Sequence, residues 1–325
     1  MKLTAEQVRD RLIANGLYSF SGNITFKFGG IDITVKEKDV VGNIIQSWMK
    51  EWLDQNSIEY AVRDNLQMPP DFYLDPNNKE HSLLEVKAFN YDAPPGFDIA
   101  DFKMYAREIL TKPYFLNTDY LIFGYKMDKA TGDITIKDIW LKKVWEITRR
   151  ANKYPINVQE KDKTVHKIRP GVWYRDNTDK LDFLTFSCVE DFISAIDETL
   201  HSIRGQTGDI NASTWKSEFI ESYKNYYHKK LIIPKWNEIE DKYDLRPAHD
   251  LGKAIAERDK AQLNVEKKTK RVTDLENKRA GAHTPKQIEA AESSLAKARE
   301  ALSKATFKLA ETQAVLDQLL SDSNL

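Results

Sequence analysis

Leu83 to Phe89 read LLEVKAF, an apolar run typical of a core strand, with two opposite charges set into it. Side chains two apart on a strand share a face. Glu85 and Lys87 therefore project together, while Leu84, Val86 and Ala88 face the other way. Two charged groups on one face of such a strand need a reason. Pro70-Asp71 stands just upstream, with Asp71 fourteen residues before Glu85. Carboxylates at Asp71 and Glu85 suit Mg²⁺, a hard cation that takes oxygen ligands. The Lys87 ammonium can then orient or deprotonate a water beside the metal, which is the equipment of phosphodiester hydrolysis. The bland alternative is a Glu85–Lys87 salt bridge at a sheet edge, with Pro69-Pro70-Asp71 merely a turn.

A chain of 325 residues, 41% apolar and 30% charged, reads as soluble and globular: one main domain plus an appendage. No apolar run approaches the ~18 residues of a membrane span. The start, MKLTAEQVRDRL, is amphipathic and charged rather than a signal peptide, so the expected location is cytoplasmic, with no membrane partner. The single cysteine, Cys188, excludes an intramolecular disulfide and a cysteine-rich zinc site. The six histidines form no H-E-x-x-H spacing, and no G-x-S-x-G or dinucleotide fingerprint occurs. A G-x-x-x-x-G-K-[ST] loop is also absent, which argues against an ATP-driven subunit.

Net charge is only −1, but its distribution is uneven. From Lys142 to Arg175 ten basic residues stand against three acidic ones, interleaved with Trp140, Trp145, Tyr154, Trp173 and Tyr174. Such a stretch can supply phosphate contacts and base-reading side chains, or it is a solvated face of ordinary surface charge.

Periodicity predicts a helix over Ala5 to Ala14, then strands at Ile24 to Phe28 and Ile31 to Val35 joined at Gly29-Gly30. A helix from about Val40 to Gln55 follows, burying Val41, Ile44, Ile45, Trp48 and Trp52. Glu51 beside that stripe is a candidate accessory carboxylate, and Glu59 in IEYAV is the alternative. Further helices are expected at Ile99 to Leu110, Val189 to Ile203 and Thr214 to Tyr227, and strands at Tyr120 to Tyr125 and Ile134 to Ile139. The fold class is mixed α/β (α+β) around one central sheet. From His249 the chain is rich in Ala, Lys, Glu, Gln and Leu, interrupted only at Gly281-Ala282-His283-Thr284-Pro285. The second half carries a heptad seam through Ile288, Ala291, Leu295, Ala298, Leu302, Ala305, Leu309, Thr312, Leu316 and Leu319. The first half is weaker, through Leu251, Ile255, Gln262, Val265, Thr269 and Val272. The reading is residues 1–245 as one domain and 249–325 as an antiparallel coiled-coil-like helical hairpin.

At these motifs the chain resembles type II restriction endonucleases of the PD-(D/E)xK superfamily, over roughly residues 1–245. The segments IWLKKVWEI and IRPGVWY also resemble the NgoBV/NlaIV type, whose sites are palindromes of the GGNNCC kind. The resemblance implies a restriction-endonuclease-like mixed central sheet flanked by helices. It implies one or two Mg²⁺ held by Asp71, Glu85 and the Val86 carbonyl, with Lys87 positioning the attacking water. The implied partner is double-stranded DNA, cleaved to 5′-phosphates by a homodimer whose two-fold axis matches a palindrome, without ATP. Lys161, Lys163, His166, Lys167, Arg169 and Arg175 become the candidate DNA-binding residues, Arg169 foremost because Pro170-Gly171 after it suggests a shaped loop. The alternatives are a catalytically silent DNA-binding protein, a structure-specific or repair nuclease of the same fold, and a scaffold built on the helical hairpin.

Overall fold

The computed structural model describes residues 1–63, 68–174 and 183–322. The described chain divides into two compact units, the first closing at Asp244 and the second running on from Leu245.

The first unit is organised by a six-stranded sheet in the order β1 (Ser21–Gly22), β9 (Ile134–Lys142), β8 (Asp119–Met127), β6 (Leu83–Asn90), β5 (Phe72–Tyr73), β4 (Ala61–Val62). β6 and β8 are parallel, and the remaining neighbours are antiparallel. A parallel pair needs a crossover, and α3 (Phe102–Thr111) supplies it, started by Asp101, whose Oδ1 accepts from Met104 N–H at 3.0 Å. Strand alternation then sorts the side chains into two cores. Leu83, Phe89, Tyr120 and Ile122 face α3, α5 (Val189–Ser202) and α6 (Trp215–Tyr227). Leu84, Val86, Leu121, Phe123 and Tyr125 face α1 (Ala5–Ala14) and α2 (Val41–Gln55). The sheet is therefore buried on both faces, which is why LLEVKAF and the YLIFGY of β8 are nearly unbroken apolar runs.

α1 starts at a capping box: Thr4 Oγ1 accepts from Gln7 N–H and Gln7 Oε1 from Thr4 N–H. On α2 the buried stripe is Val41, Ile45, Met49, Trp52 and Leu53, while Ile44, expected within it, is exposed. Gly124 in β8 admits two rings: a Cβ there would lie 2.9 Å from both Trp140 and Tyr91, which stack on each other at 6.2 Å. Trp140 belongs to an aromatic cluster with Phe89, Trp173 and Tyr174, so these last two serve the core, as the commoner role of such residues suggests.

Two smaller sheets flank the main one. β2 (Ile24–Phe28) and β3 (Ile31–Val35) form the hairpin expected at Gly29-Gly30, both glycines at positive φ. β7 (Ala100–Asp101), β10 (Val158–Lys161) and β11 (Thr164–Ile168) make a three-stranded sheet, ordered β10-β11-β7. Its β10–β11 turn is Asp162-Lys163, both at positive φ, the geometry that matches strand twist and for which glycine or asparagine is the usual signal. Residues 158–168 contain no glycine or asparagine to signal that hairpin in the sequence. The short α4 (Val144–Ile147) follows β9.

Part of the basic stretch is paired with acidic side chains. Lys143 reaches Asp119 at 2.6 Å, and Arg150 lies 3.3 Å from Glu240 and 3.7 Å from Asp244. Lys142 pairs with Glu146 and Lys153 with Glu160. Lys161 and Lys163 of the same stretch stay exposed at the β10–β11 turn.

The second unit is an antiparallel pair, α7 (Arg246–Ala280) and α8 (Pro285–Asp322). In α8 the expected seam is buried or half-buried from Ala291 to Leu319, while Ile288 is exposed. In α7 the expected seam is displaced: Ile255, Gln262 and Thr269 are exposed. The shielded positions are Leu251, Ala254, Arg258, Ala261, Val265, Lys268, Val272 and Leu275, an unbroken 3-4 alternation. Its aliphatic character is carried partly by the stems of Arg258 and Lys268, which a hydrophobicity pattern overlooks. Arg279–Glu292 and Arg299–Glu276 bridge the two helices.

Candidate active site

β5 and β6 bring the two proposed carboxylates together. Asp71 immediately precedes β5, which pairs antiparallel with β6 through Phe72 opposite Leu84. Asp71 Oδ2 accepts the Val86 backbone N–H at 2.8 Å, and Asp71 Oδ1 accepts from Gln46 Nε2 on α2. Extending the strand register places Val86 across from Pro70, which has no N–H to offer. The Asp71 side chain therefore takes the place of a ladder partner.

Glu85 is only 4% exposed, and its Oε1 lies 2.7 Å from Lys87 Nζ. This pair sits on a central strand, between β8 and β5, and not at a sheet edge. Glu85 Oε2 is buried with no hydrogen-bond partner among the described residues. A buried carboxylate oxygen left unpaired is costly, and such groups persist where function uses them. Burial pushes the Asp71 carboxyl up to about 7, with repulsion from Glu85 adding to it; Lys87, the Val86 N–H and Gln46 oppose the rise. For Lys87, burial works against the ammonium, but attraction to Glu85 and Asp71 outweighs it and holds the group above its ordinary value. Lys87 thus stays charged.

Glu85 and Lys87 line a cavity of about 440 Å³ together with Asp98, His166 and Lys167. Lys87 and Asp98 also border a neighbouring cavity of about 610 Å³, which Asn43, Gln46 and Asn90 line. Asp101 Oδ2 lies 3.1 Å from His166 Nδ1 while its Oδ1 caps α3. The sheet β10-β11-β7 thus positions His166 and Lys167 toward the carboxylates.

The accessory carboxylates are not at this site. Glu51 is exposed, five residues from Gln46 and so about 140° around the helix from it. Glu59 is exposed and pairs with the N-terminal amine at 2.8 Å. The residue that α2 contributes is Gln46, whose neutral amide and position ahead of the aromatic stripe gave no signal in a search for carboxylates. Lys161 and Lys163 are exposed at the β10–β11 tip. Arg169, ranked first for base reading, is bonded to Asp98 and to the Gly96 carbonyl, so its guanidinium pins the loop beside the cavities. Arg175 lies outside the described residues.

The chemistry of this donor set suits a hard cation. Among the described residues no three His, Cys, Asp or Glu side chains converge, and Asp71 and Glu85 are the carboxylates that meet here. That leaves room for water and phosphate oxygens, which Mg²⁺ prefers to an all-protein cage. The mixed sheet, the carboxylate ahead of β5 and the E-x-K pair on β6 define a PD-(D/E)xK nuclease.

Comparison with known proteins narrows the class. The sequence model of the NgoBV restriction endonuclease matches residues 2–243. The type II restriction enzyme NlaIV of Neisseria lactamica is 54% identical over 244 residues, covering 75% of this chain and 98% of the relative. The type II restriction enzyme NgoBV of Neisseria gonorrhoeae is 51% identical over 162 residues, covering 50% of this chain and 91% of the relative. The solved NlaIV restriction endonuclease structure superposes with a TM-score of 0.70 at 53% identity, over 75% of this chain and 98% of that one. The chain belongs to the NgoBV restriction endonuclease family and is a DNA-cleaving enzyme. The family match stops at residue 243, so α7 and α8 lie outside it. No helix among the described residues is long and apolar enough to cross a membrane.

Proposed function

We propose that this protein cuts both strands of duplex DNA at a short palindrome, of the GGNNCC kind that the resemblance implies, leaving 5′-phosphates in a Mg²⁺-dependent reaction. The observation that carries this reading is the buried, unpartnered Glu85 Oε2 beside Asp71, two carboxylates whose charge calls for a cation. Asp71, Glu85 and the Val86 carbonyl would hold one or two Mg²⁺. A residue's N–H and C=O leave a strand on the same side; the Val86 N–H points to Asp71, so its carbonyl also faces the carboxylates. Mg²⁺, when bound, supplies the positive charge that polarises the phosphate and makes a water nucleophilic at neutral pH. Lys87, kept charged, acts as donor to the attacking water and the phosphate oxygens rather than as a base. Water adds to phosphorus and gives up a proton to solvent, the P–O3′ bond breaks, the departing 3′-oxygen takes a proton from solvent, and the phosphate remains on the 5′ end. His166 and Lys167 face the same cavity from β11 and supply backbone contacts to the cleaved strand. Lys161 and Lys163, exposed at the hairpin tip, and Arg175 are the remaining candidates for DNA contact. Arg169 shapes the loop that borders the groove.

The test is digestion of long unmethylated duplex DNA containing GGNNCC sites, with Mg²⁺ or with EDTA. Discrete bands with Mg²⁺ alone, and 5′-phosphate ends on sequencing, are the expected result. Tight duplex binding with no cleavage across varied sequences and methylation states would instead support the silent DNA-binding module.

Gln46 is proposed to hold Asp71 in its ligating orientation. Gln46→Ala is expected to raise the Mg²⁺ concentration for half-maximal cleavage by ~10–100-fold, the usual cost of losing a hydrogen bond to a metal ligand. The rate at saturating Mg²⁺ should change little. A titration of cleavage rate against Mg²⁺ separates the two quantities.

A further inference from the structure

The β2–β3 hairpin has one apolar face that is exposed among the described residues. Its register pairs Ile24 with Val35, Phe26 with Ile33 and Phe28 with Ile31, so all six side chains point to the same side. Phe26, Phe28, Ile31 and Ile33 are 53%, 75%, 67% and 52% exposed, and the two phenylalanine rings stack at 6.1 Å. The opposite face carries Thr25, Lys27, Asp32 and Thr34, with Lys27 and Asp32 paired at 2.9 Å. Water therefore lies against the apolar face as well as the polar one. A lone two-stranded hairpin is marginal in water unless a face is packed. Its base is nonetheless anchored: Lys36 Nζ bonds the Ala130 carbonyl, and the hairpin seats against the turn at Gly132.

We infer that this face is where two copies of the chain associate. Charge favours a second copy over nucleic acid. Between Asn23 and Asp39 three lysines (Lys27, Lys36, Lys38) balance three acids (Asp32, Glu37, Asp39), and the apolar face itself holds no charge. Two such faces meet without like-charge repulsion, whereas a phosphate backbone would find no basic surface there. Area points the same way. At these exposures the four side chains present roughly 400–500 Å², more than half of the ~800 Å² each partner buries in a standard interface. An isologous two-fold contact buries the same patch twice, closing the assembly at two. The inference deepens the proposed reading, since a palindrome cut in both strands needs two active centres. β3 leads into α2, the helix that carries Gln46 to Asp71.

The experiment is sedimentation equilibrium of the full chain at micromolar concentration without DNA or metal, so its outcome is independent of nuclease activity. It compares wild type, F26K/F28K, and L263K/F307K, the last altering exposed apolar residues of the helical pair. Wild type and L263K/F307K at twice the chain mass, with F26K/F28K at the chain mass, are expected. Circular dichroism should show F26K/F28K still folded, because the substituted side chains face solvent in the single chain. The milder F28A/I31A variant should raise the dimer dissociation constant at least tenfold. A monomeric wild type overturns the inference, as does an F26K/F28K protein that remains dimeric. Loss of duplex affinity in F26K/F28K with its mass unchanged would assign the face to DNA instead.

Discussion

Lys87→Ala is expected to lower single-turnover cleavage by ~10²–10³-fold, the typical cost of removing one donor aimed at developing charge, while duplex affinity stays within about threefold. The ammonium is held charged by Glu85 and Asp71, so its contribution lies in donating to the water and phosphate, a role alanine cannot fill. Duplex binding draws on many phosphate contacts across the groove, so the loss of one central charge changes it little. The substitution also strands the buried Glu85 carboxylate. A stability loss of ~1–3 kcal/mol is expected, the cost of leaving a largely buried charged group without its partner. Added Mg²⁺ should recover part of that loss by pairing with Glu85. Lys87→Gln, which keeps a donor of similar length, separates folding from chemistry. Full cleavage by folded Lys87→Ala would reduce Lys87 to a structural counter-ion and remove it from the mechanism.

Asp71→Asn should do two opposite things: abolish Mg²⁺-dependent cleavage and stabilise the metal-free protein. The Asp71 carboxyl, ordinarily at 3.8, is pushed up to about 7 in the fold by burial and by Glu85. Between those values the folded chain holds a proton that the unfolded chain has released. Stability of the metal-free protein therefore falls as pH rises through this window, and the penalty is fully present above about pH 7. At pH 8 the amide should stabilise by ~1–3 kcal/mol, discounted for partial solvent access. For a domain of this size that corresponds to roughly 3–8 °C in Tm. Below the ordinary carboxyl value of 3.8 the two proteins should unfold alike as far as this group is concerned. Mg²⁺ should raise the Tm of wild type at pH 8 and leave Asp71→Asn unmoved. Thermal unfolding at pH 4, 6 and 8, with and without Mg²⁺, checks all of this. An Asp71→Asn protein less stable than wild type at pH 8 would mean that the carboxylate serves the fold, through Val86 and Gln46, more than it burdens it.

Residues adjacent in sequence, or spaced by the period of one element, were readable directly. The alternation in LLEVKAF placed Glu85 and Lys87 on one face and Leu84 and Val86 on the other because strand geometry has a period of two, wherever the strand is packed. Gly29-Gly30 marked its hairpin because those residues tolerate positive φ. The GAHTP turn between α7 and α8 was equally local. The α7 seam was misplaced because two of its positions are charged residues whose stems do the packing.

What only the tertiary structure decided were pairings between distant segments. Gln46 meets Asp71 because α2 packs on the sheet face opposite Glu85 while Asp71 lies at the start of a neighbouring strand, a meeting no motif spacing encodes. Arg169, a DNA-reading candidate by its own neighbours, is bonded to Asp98, seventy-one residues earlier. Lys143 and Arg150 of the basic stretch are claimed by Asp119, Glu240 and Asp244 in the same way. Charge interacts through space and falls off with distance rather than with chain separation. A run of lysines and arginines therefore fixes how much charge a segment carries, and the fold determines how much of it remains for a partner.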